Sequence, residues 1–144
     1  MDKNLPIIDY NKIIELIPQR DPIVMVDGLL SFSDTDIEAT LTVLKNNILV
    51  QDNLLQEAGI IEHMAQTVAL HTGYDFSCKG IPAPVGYIGS IKNIVIYRLP
   101  KVSEKMTSKA HILHEFMGVT LVEVVTFCGG TILAKGQMKT VIAQ

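Results

Sequence analysis

The chain has 144 residues, of which 48% are hydrophobic and 19% charged, and its formal net charge is −3. We expect residues 1–144 to form a single domain, because that length is typical of one domain, and the apolar content excludes an intrinsically disordered chain. Lysine and arginine do not cluster and aromatic residues make up only 6%, so a nucleic-acid groove and a base-stacking surface are excluded.

The hydrophobic content does not come from a membrane-spanning segment. Mean hydropathy is +0.31, yet no run approaches the roughly 20 uncharged apolar residues that a spanning helix needs. Residues 1–10 carry Asp2, Lys3 and Asp9 and contain no apolar signal core. We therefore expect a cytoplasmic protein. The apolar content of so small a chain also suggests surface that is buried in an oligomer.

The cysteines and the known ligand-binding motifs give no sign of a cofactor. Cys78 and Cys128 lack CxxC spacing, so we expect each to be a buried free thiol rather than a disulfide or a metal ligand. HExxH, Cys/His-cluster and P-loop motifs are absent from the sequence. The sequence therefore predicts no metal and no nucleotide.

One short helix and one strand are predicted in the first third of the chain. Apolar residues at helical spacing predict a helix over 11–17, which Pro18 ends. Pro22 opens an apolar run at 23–26. Strict alternation then predicts a half-buried strand at 37–43.

A long helix is predicted in the middle of the chain, over 54–71. Asp52 and Asn53 are both good N-caps, and Gly73 marks the end of the helix. Hydrophobic residues occur nearly all round this helix, which predicts that it is buried on most sides.

An antiparallel run of about four strands is predicted after the central helix. A loop rich in glycine and proline at 80–89 leads to a strand at 91–97, which Pro100 ends. Further strands are predicted at 109–116, 119–128 and 131–142, and Gly129-Gly130 is a hairpin signal. Because strands and helix are segregated, we predict an α+β fold with an antiparallel sheet wrapped around one central helix.

Glu62 is the best candidate for a chemical role. On a helical wheel, Glu62 and Gln66 lie on one side, flanked by Ala58, Ala65 and Ala69. A buried carboxylate needs a partner or a shifted pKa, which is how general acids arise, and the alanines leave room for a ligand. A structural glutamate bonded to nearby backbone or to another subunit fits the same pattern.

The four histidines are weaker candidates. His63 and His71 fall on the wetter arc of the helix, which favours surface or interface positions. His111 and His114 point to opposite faces of a regular strand, so they cannot share a metal ion without a bulge.

Two motifs occur in order along the chain, I-P-Q-R-D-P-I-V-M-V-D at 17–27 and G-I-I-E-H-M-A-Q at 59–66. They resemble the L-P-H-R-x-P motif and the E-x-M-A-Q helix of the hotdog-fold 3-hydroxyacyl-acyl-carrier-protein dehydratases. Gly89, followed by a strand and Pro100, matches a later pattern of the same family. The resemblance spans nearly the whole chain, and it implies the hotdog fold, which agrees with the element order.

The resemblance also implies a site shared by two subunits of a dimer. In that family, a histidine in an H-F-P loop before the helix acts on the α-carbon proton, and the helix glutamate protonates the departing hydroxyl. Helix-start amides polarise the thioester carbonyl. Glu62 matches the acid. Other residues are candidates for substrate binding because of their small size, their flexibility or their position in the family pattern. They are Ala58, Gly59, Met64, Gln66 and Gly89.

The chain departs from the family pattern in the loop before the helix. Residues 46–56 contain no histidine and no proline, and Gln56-Glu57 replace the usual Pro-Gly. Gln19 stands where the first motif has histidine, and Gly28 stands where arginine follows the aspartate. Such sequences resemble the dehydratase-like proteins of aryl-polyene and flexirubin biosynthesis clusters, which accompany a second, His-bearing subunit.

Three functions remain open from the sequence. The first is a dehydratase-like subunit (a lyase) of fatty-acid or polyene-type biosynthesis, which acts on thioesters of acyl carrier protein as a homodimer or with a dehydratase paralogue. The second is an acyl thioesterase in which Glu62 is the nucleophile or the base. The third is a non-catalytic subunit that binds acyl chains or stabilises a partner. We expect the dimer to form by sheet continuation.

Overall fold

The computed structural model describes residues 4–143. Over this range it contains two helices, α1 (Tyr10–Ile14) and α2 (Glu57–Cys78). The strands are β1 (Gly28–Phe32), β2 (Asp36–Thr42), β3 (Val50–Gln51), β4 (Leu54–Leu55), β5 (Gly86–Ile96), β6 (Lys105–Phe116), β7 (Val119–Cys128) and β8 (Thr131–Ile142).

Six of the strands form one sheet in the order β1-β2-β6-β7-β8-β5. Every neighbouring pair in it is antiparallel, while β3 and β4 form a separate hairpin. Helix α2 lies against the inner face of the sheet, chiefly over β2 and β6. This confirms the predicted α+β arrangement of an antiparallel sheet around one long helix.

The hydrophobic core lies between α2 and the inner face of the sheet. Ile60, Met64 and Leu70 of the helix are fully buried, as are Met106 and Met138 of the strands. Along β7, buried inner side chains alternate with more exposed outer ones, so one face of the sheet packs against the helix. One side of α2, towards β5, is left partly exposed.

The predicted bounds of the central helix are wrong at both ends. Asp52 and Asn53 have positive φ angles of 53° and 66° and form the tight turn between β3 and β4, so neither caps the helix. Gly73 lies inside α2. A Cβ at this position would overlap the carbonyl oxygen of Leu16, so glycine here permits a close approach of backbone rather than a helix end.

The strand predictions are most accurate where alternation is regular. β7 and β8 have the predicted bounds, and Gly129 and Gly130 form their turn with φ angles of 60° and 84°. β5 begins at Gly86, earlier than the sequence predicts. Two irregularities in its register interrupt the alternation, so the pattern does not reveal the first residues of the strand. β6 also begins earlier than the sequence predicts, at Lys105, and α1 ends sooner, at Ile14. The sequence pattern misses β1 and the short strands β3 and β4.

The two cysteines differ in environment. Cys128 is buried, as expected, whereas Cys78 is exposed in the last turn of α2. The expectation of a buried thiol at Cys78 is therefore wrong, because the helix runs past the core before it ends. Among the described residues, no helix is long and apolar enough to cross a membrane.

Candidate active site

Glu62 lies on the side of α2 that the rest of the chain leaves open. Ala58 is exposed, and Glu62, Ala65 and Ala69 are half-buried. These residues recur every three or four positions, so they form one stripe along the helix. The structure thus places a carboxylate among small side chains that leave space beside it.

The Glu62 carboxylate is held by Gln66, one turn further along the helix. Gln66 Nε2 donates to Glu62 Oε1 over 2.8 Å and also to the carbonyl oxygen of Ile23 over 2.9 Å. Gln66 Oε1 accepts from the backbone N–H of Met25 at 2.6 Å. Because Gln66 is fully buried and bonded at both ends, it fixes one oxygen of Glu62 relative to residues 23–27.

His63 is fully buried, so the expected surface or interface position is wrong. The wheel fails here because residues 23–27 cover that arc of the helix. His63 Nδ1 donates to the carbonyl oxygen of Met25 over 2.6 Å. Nε2 then carries no hydrogen, and within residues 4–143 it has no hydrogen-bond partner. Burial lowers the pKa of His63 to about 4, so the ring is neutral and closed to solvent.

The other histidines lie away from Glu62 in the fold. His71 is half-buried; its Nε2 donates to the carbonyl oxygen of Ser33 over 2.8 Å, and its ring stacks on Phe32. His111 bonds to Asp36 at 2.9 Å, and His114 is exposed.

A register shift between Ile112 and His114 alters the expected geometry of the two strand histidines. It brings both to the side of the sheet that carries Leu121 and Glu123, rather than to opposite faces. No group of three or more His, Cys, Asp or Glu residues in the described part of the chain could nevertheless hold a metal ion.

The β3–β4 hairpin replaces the histidine loop before α2. Leu55 N–H donates to the carbonyl oxygen of Pro100, and Gln56 N–H donates to that of Leu49, which fixes the start of the helix. Gln56 is the N-cap residue, but its side chain makes no capping hydrogen bond to the helix. The amides of the first turn present the positive end of the helix dipole, next to the acidic side chain of Glu57.

A cavity of about 420 Å³ begins one turn beyond Glu62. It lies between the second half of α2, residues 15–19, the start of β5 and the inner face of the sheet. Its volume is in the range of small-molecule sites. Its apolar walls include Ala65, Val68 and Ala69 of the helix. Helical spacing from Glu62 indicates that Ala65 and Ala69 lie on the same side of α2 and can line this cavity. The lining residues of the sheet cannot be found from the sequence, because the strand topology brings them together.

The candidate substrate-binding residues lie in different surroundings. Met64 is fully buried in the core, and Gly59 is buried where a Cβ would overlap the Leu55 side chain. Gly89 is exposed at a register shift of β5, and a Cβ there would lie 3.2 Å from Val141 Cγ2. The structure brings Glu62, Gln66 and Ala58 to one side of α2 and leaves Met64 and Gly59 inside the fold.

The family model described as ApeP dehydratase, ApeP-like, matches residues 11–143. The chain belongs to the ApeP-like dehydratase family. This confirms the resemblance to hotdog-fold, dehydratase-like proteins of aryl-polyene clusters. No curated protein sequence matches the chain.

Solved structures share the hotdog fold of this ApeP-like chain. The dehydratase heterocomplex ApeI:P from Xenorhabdus doucetiae matches with a TM-score of 0.85 and 19% identity, over 92% of this chain and 91% of that one. An uncharacterized protein from Pyrococcus horikoshii has a TM-score of 0.70 at 13% identity, over 90% and 92%. A hypothetical thioesterase from Streptococcus pneumoniae, solved with coenzyme A, has a TM-score of 0.66 at 14% identity, over 94% of each chain.

Proposed function

We propose that this ApeP-like chain is one subunit of a dehydratase that removes water from 3-hydroxyacyl chains bound to acyl carrier protein. Glu62 is its catalytic acid, and the base is a histidine of a paralogous dehydratase subunit. The observation that carries this proposal is the pairing of an oriented, half-exposed Glu62 with a loop that contains no histidine.

Two features of α2 take part in the proposed reaction, the backbone amides of its first turn and the Glu62 carboxyl group. The partner's histidine removes the proton from the α-carbon, while the first-turn amides of α2 stabilise the negative charge that develops on the thioester oxygen. Glu62 donates a proton to the hydroxyl of the β-carbon. The carbon–oxygen bond breaks, water leaves and a carbon–carbon double bond forms.

The sheet supplies a surface for the partner subunit. β5 is an edge strand of eleven residues, and a long apolar edge pairs readily with another strand. Ile91 pairs with the fully buried Met138, so it points to the inner side, yet it is 42% exposed. A partner strand beside β5 would continue the sheet and bring the partner's helix over these residues.

The structural relative supports a heteromeric assembly. The protein from Xenorhabdus doucetiae is described as a dehydratase heterocomplex, and its chain superposes on more than nine-tenths of this one. We infer that this chain likewise pairs with a dehydratase paralogue. Ala58 and Gly89 lie on the surfaces that such pairing would bring beside the substrate. Gln66 supports Glu62 from within the fold through its hydrogen bond, and Gly59 and Met64 are buried within the same helix.

The proposal is tested by mass spectrometry of a 3-hydroxyacyl-carrier-protein substrate. The chain is assayed alone and mixed with a His-bearing dehydratase from the same source, which is also assayed alone. We expect loss of water in the mixture at a rate that neither subunit reaches by itself. Loss of water by this chain alone, or no product in any tube, would contradict the shared site. Release of the free acid by this chain alone would instead establish the thioesterase.

A further inference from the structure

The outer face of the sheet, which points away from α2, carries an apolar stripe along β7. Antiparallel sheets with one face in solvent usually have polar side chains on that face. In β7, buried inner residues alternate with outward ones, and the outward residues are half-buried and apolar except for the exposed Glu123. The apolar ones are Val119, Leu121, Val125 and Phe127. This pattern indicates that the outer face of β7 is covered by another surface.

The apolar surface widens at the end of the sheet where β7 begins. Phe116 of β6 pairs with Val119. Val119 also pairs with Val141 of β8, which in turn pairs with Tyr87 of β5. Residues that pair across neighbouring strands lie on the same face, so these four side chains form one row. Phe116 is 65% exposed and Tyr87 is 62% exposed. Exposed apolar surface that is contiguous over several strands is typical of an interaction site.

Lysines border this apolar surface on β8 and β5. Lys135 and Lys139 of β8 pair with outward residues of β7, and Lys92 of β5 pairs with the residue midway between them. All three therefore lie on the outer face, and within residues 4–143 none of them forms an ion pair. Glu123 is the one acidic residue of β5, β7 and β8. A partner must therefore present apolar surface, a carboxylate for the lysines and a cation for Glu123.

A second copy of this chain meets all three requirements. In a two-fold contact, the same surface of both copies meets, so that residue i contacts residue j and residue j contacts residue i. With the axis parallel to the strands and between β7 and β8, each outward residue of β7 lies over the β8 residue with which it pairs in its own sheet. Val119 then meets Val141 of the other copy, and Glu123 enters the space between Lys135 and Lys139.

The flanking strands and the size of the face fit the same arrangement. The axis also places Phe116 of β6 over Tyr87 of β5, because both belong to one row. β6, β7 and β8 have 12, 10 and 12 residues, so with β5 they present a face of about 35 Å by 19 Å. That is about 650 Å² per copy, close to the roughly 800 Å² per partner of a standard interface.

We propose that the outer face of β5–β8 joins two copies of this chain in a two-fold contact. The β5 edge and the open side of α2, which the proposed function assigns to the dehydratase paralogue, remain free. Both contacts can therefore form at once, and the expected assembly holds two copies of each subunit, with the two copies of this chain in contact. The inference does not depend on the catalytic role of Glu62.

Sedimentation velocity of the complex with the paralogue measures this assembly. We expect two copies of each subunit in the native complex. Phe116→Ser removes an exposed apolar side chain from the row, and Glu123→Lys places a cation against two lysines. Each should weaken the contact by at least about tenfold and leave one copy of each subunit. A native complex with one copy of each subunit would overturn the inference. The same variants should lower the mass of the chain alone, so the contact is tested even if the paralogue does not bind.

An exchange of charges tests which residues meet. Lys135→Glu combined with Lys139→Glu should also dissociate the assembly, and mixing this double variant with Glu123→Lys should restore it, because opposite charges then meet across the axis. Lys12→Glu combined with Lys45→Glu is the matched control, since both lysines are exposed and lie in α1 and in the loop after β2. This control should keep the native assembly.

Three results would refute the two-fold contact. They are a mixture that does not reassociate, a control that dissociates as the double variant does, and outer-face variants that keep the native mass but lose turnover of the carrier-bound substrate. The last result would make this face a docking surface for the carrier protein. Two copies of each subunit without any dehydration would contradict the proposed function and leave the contact standing.

Discussion

Gln66 and His63 join two motifs that lie far apart in the sequence. Gln66 bonds to the backbone of Ile23 and Met25, and His63 bonds to Met25 as well. Gln66 therefore makes the pair of backbone bonds that a neighbouring strand would otherwise make. The helical wheel could place Glu62 and Gln66 on one side of the helix, but it could not show which segment covers His63.

Gln66→Leu should destabilise the fold. The substitution keeps the size of the side chain but leaves Met25 N–H and the Ile23 carbonyl without partners, which costs about 2–4 kcal/mol in the free energy of unfolding. Urea denaturation measures the change. Gln51→Leu, at an exposed residue of β3, is the control and should change stability by less than about 1 kcal/mol. Equal effects of the two substitutions would show that the Gln66 bonds contribute little.

His63 should make the fold sensitive to mild acid. Burial lowers the pKa of His63 from the ordinary 6.5 to about 4. Between these two pH values, the unfolded chain binds a proton at His63 and the folded chain does not. Stability is therefore complete above about pH 6.5 and falls as the pH drops towards 4, by about 3 kcal/mol in all. Glu104, whose pKa is lowered to about 2 chiefly by Arg98, contributes in the same direction, but only at lower pH.

The His63 effect is isolated by substitution. Denaturation midpoints between pH 7 and pH 5 should fall more steeply for the native chain than for His63→Gln, which removes the titrating ring. His114→Gln, at an exposed residue of β6, is the matched control and should keep the native slope. An unchanged slope in His63→Gln would mean that another group is responsible for the acid sensitivity.

At the scale of elements, the sequence predicts β7 and β8 with their bounds, whereas it misplaces both ends of α2. β7 and β8 have the predicted bounds because their alternation is regular and a Gly-Gly turn separates them. The start of α2 was misplaced because Asp52-Asn53 suits an N-cap and a tight hairpin turn equally well. The end was misplaced because Gly73 serves contact with Leu16, a tertiary effect that local sequence does not show.

Gly73→Ala should destabilise the fold, although helix propensity alone predicts a gain of about 1 kcal/mol. The new Cβ would overlap the Leu16 carbonyl oxygen, and a backbone group can move only if the 15–18 segment shifts. We expect a net loss of about 1–3 kcal/mol in thermal or urea denaturation. Gly86→Ala in β5 is the control, since its Cβ would meet its nearest neighbour at 3.7 Å. A stabilised Gly73→Ala chain would contradict the close contact.

At the scale of the whole molecule, an exposed β5 and the open side of α2 border the same cavity, which makes this side the expected dimer surface. Ile91→Asp should weaken association by at least about tenfold, because it places a charge on the inner side of the edge strand. Ile8→Asp is the control: Ile8 is 78% exposed and follows Ile7, which pairs with the opposite edge strand, β1. Sedimentation velocity distinguishes the two, and equal dimerisation of both variants would exclude β5 as the interface.

In the proposed mechanism, Glu62 supplies the proton in a site that a partner subunit completes. The most direct measurement is the rate of water loss by the reconstituted pair with Glu62→Gln in this chain. We predict a fall of at least about 100-fold with the complex still assembled. Glu57→Gln is the control, because it removes an exposed carboxylate from the first turn of the same helix, α2. This variant should keep most of the activity. Unchanged turnover in Glu62→Gln would show that Glu62 is not the acid.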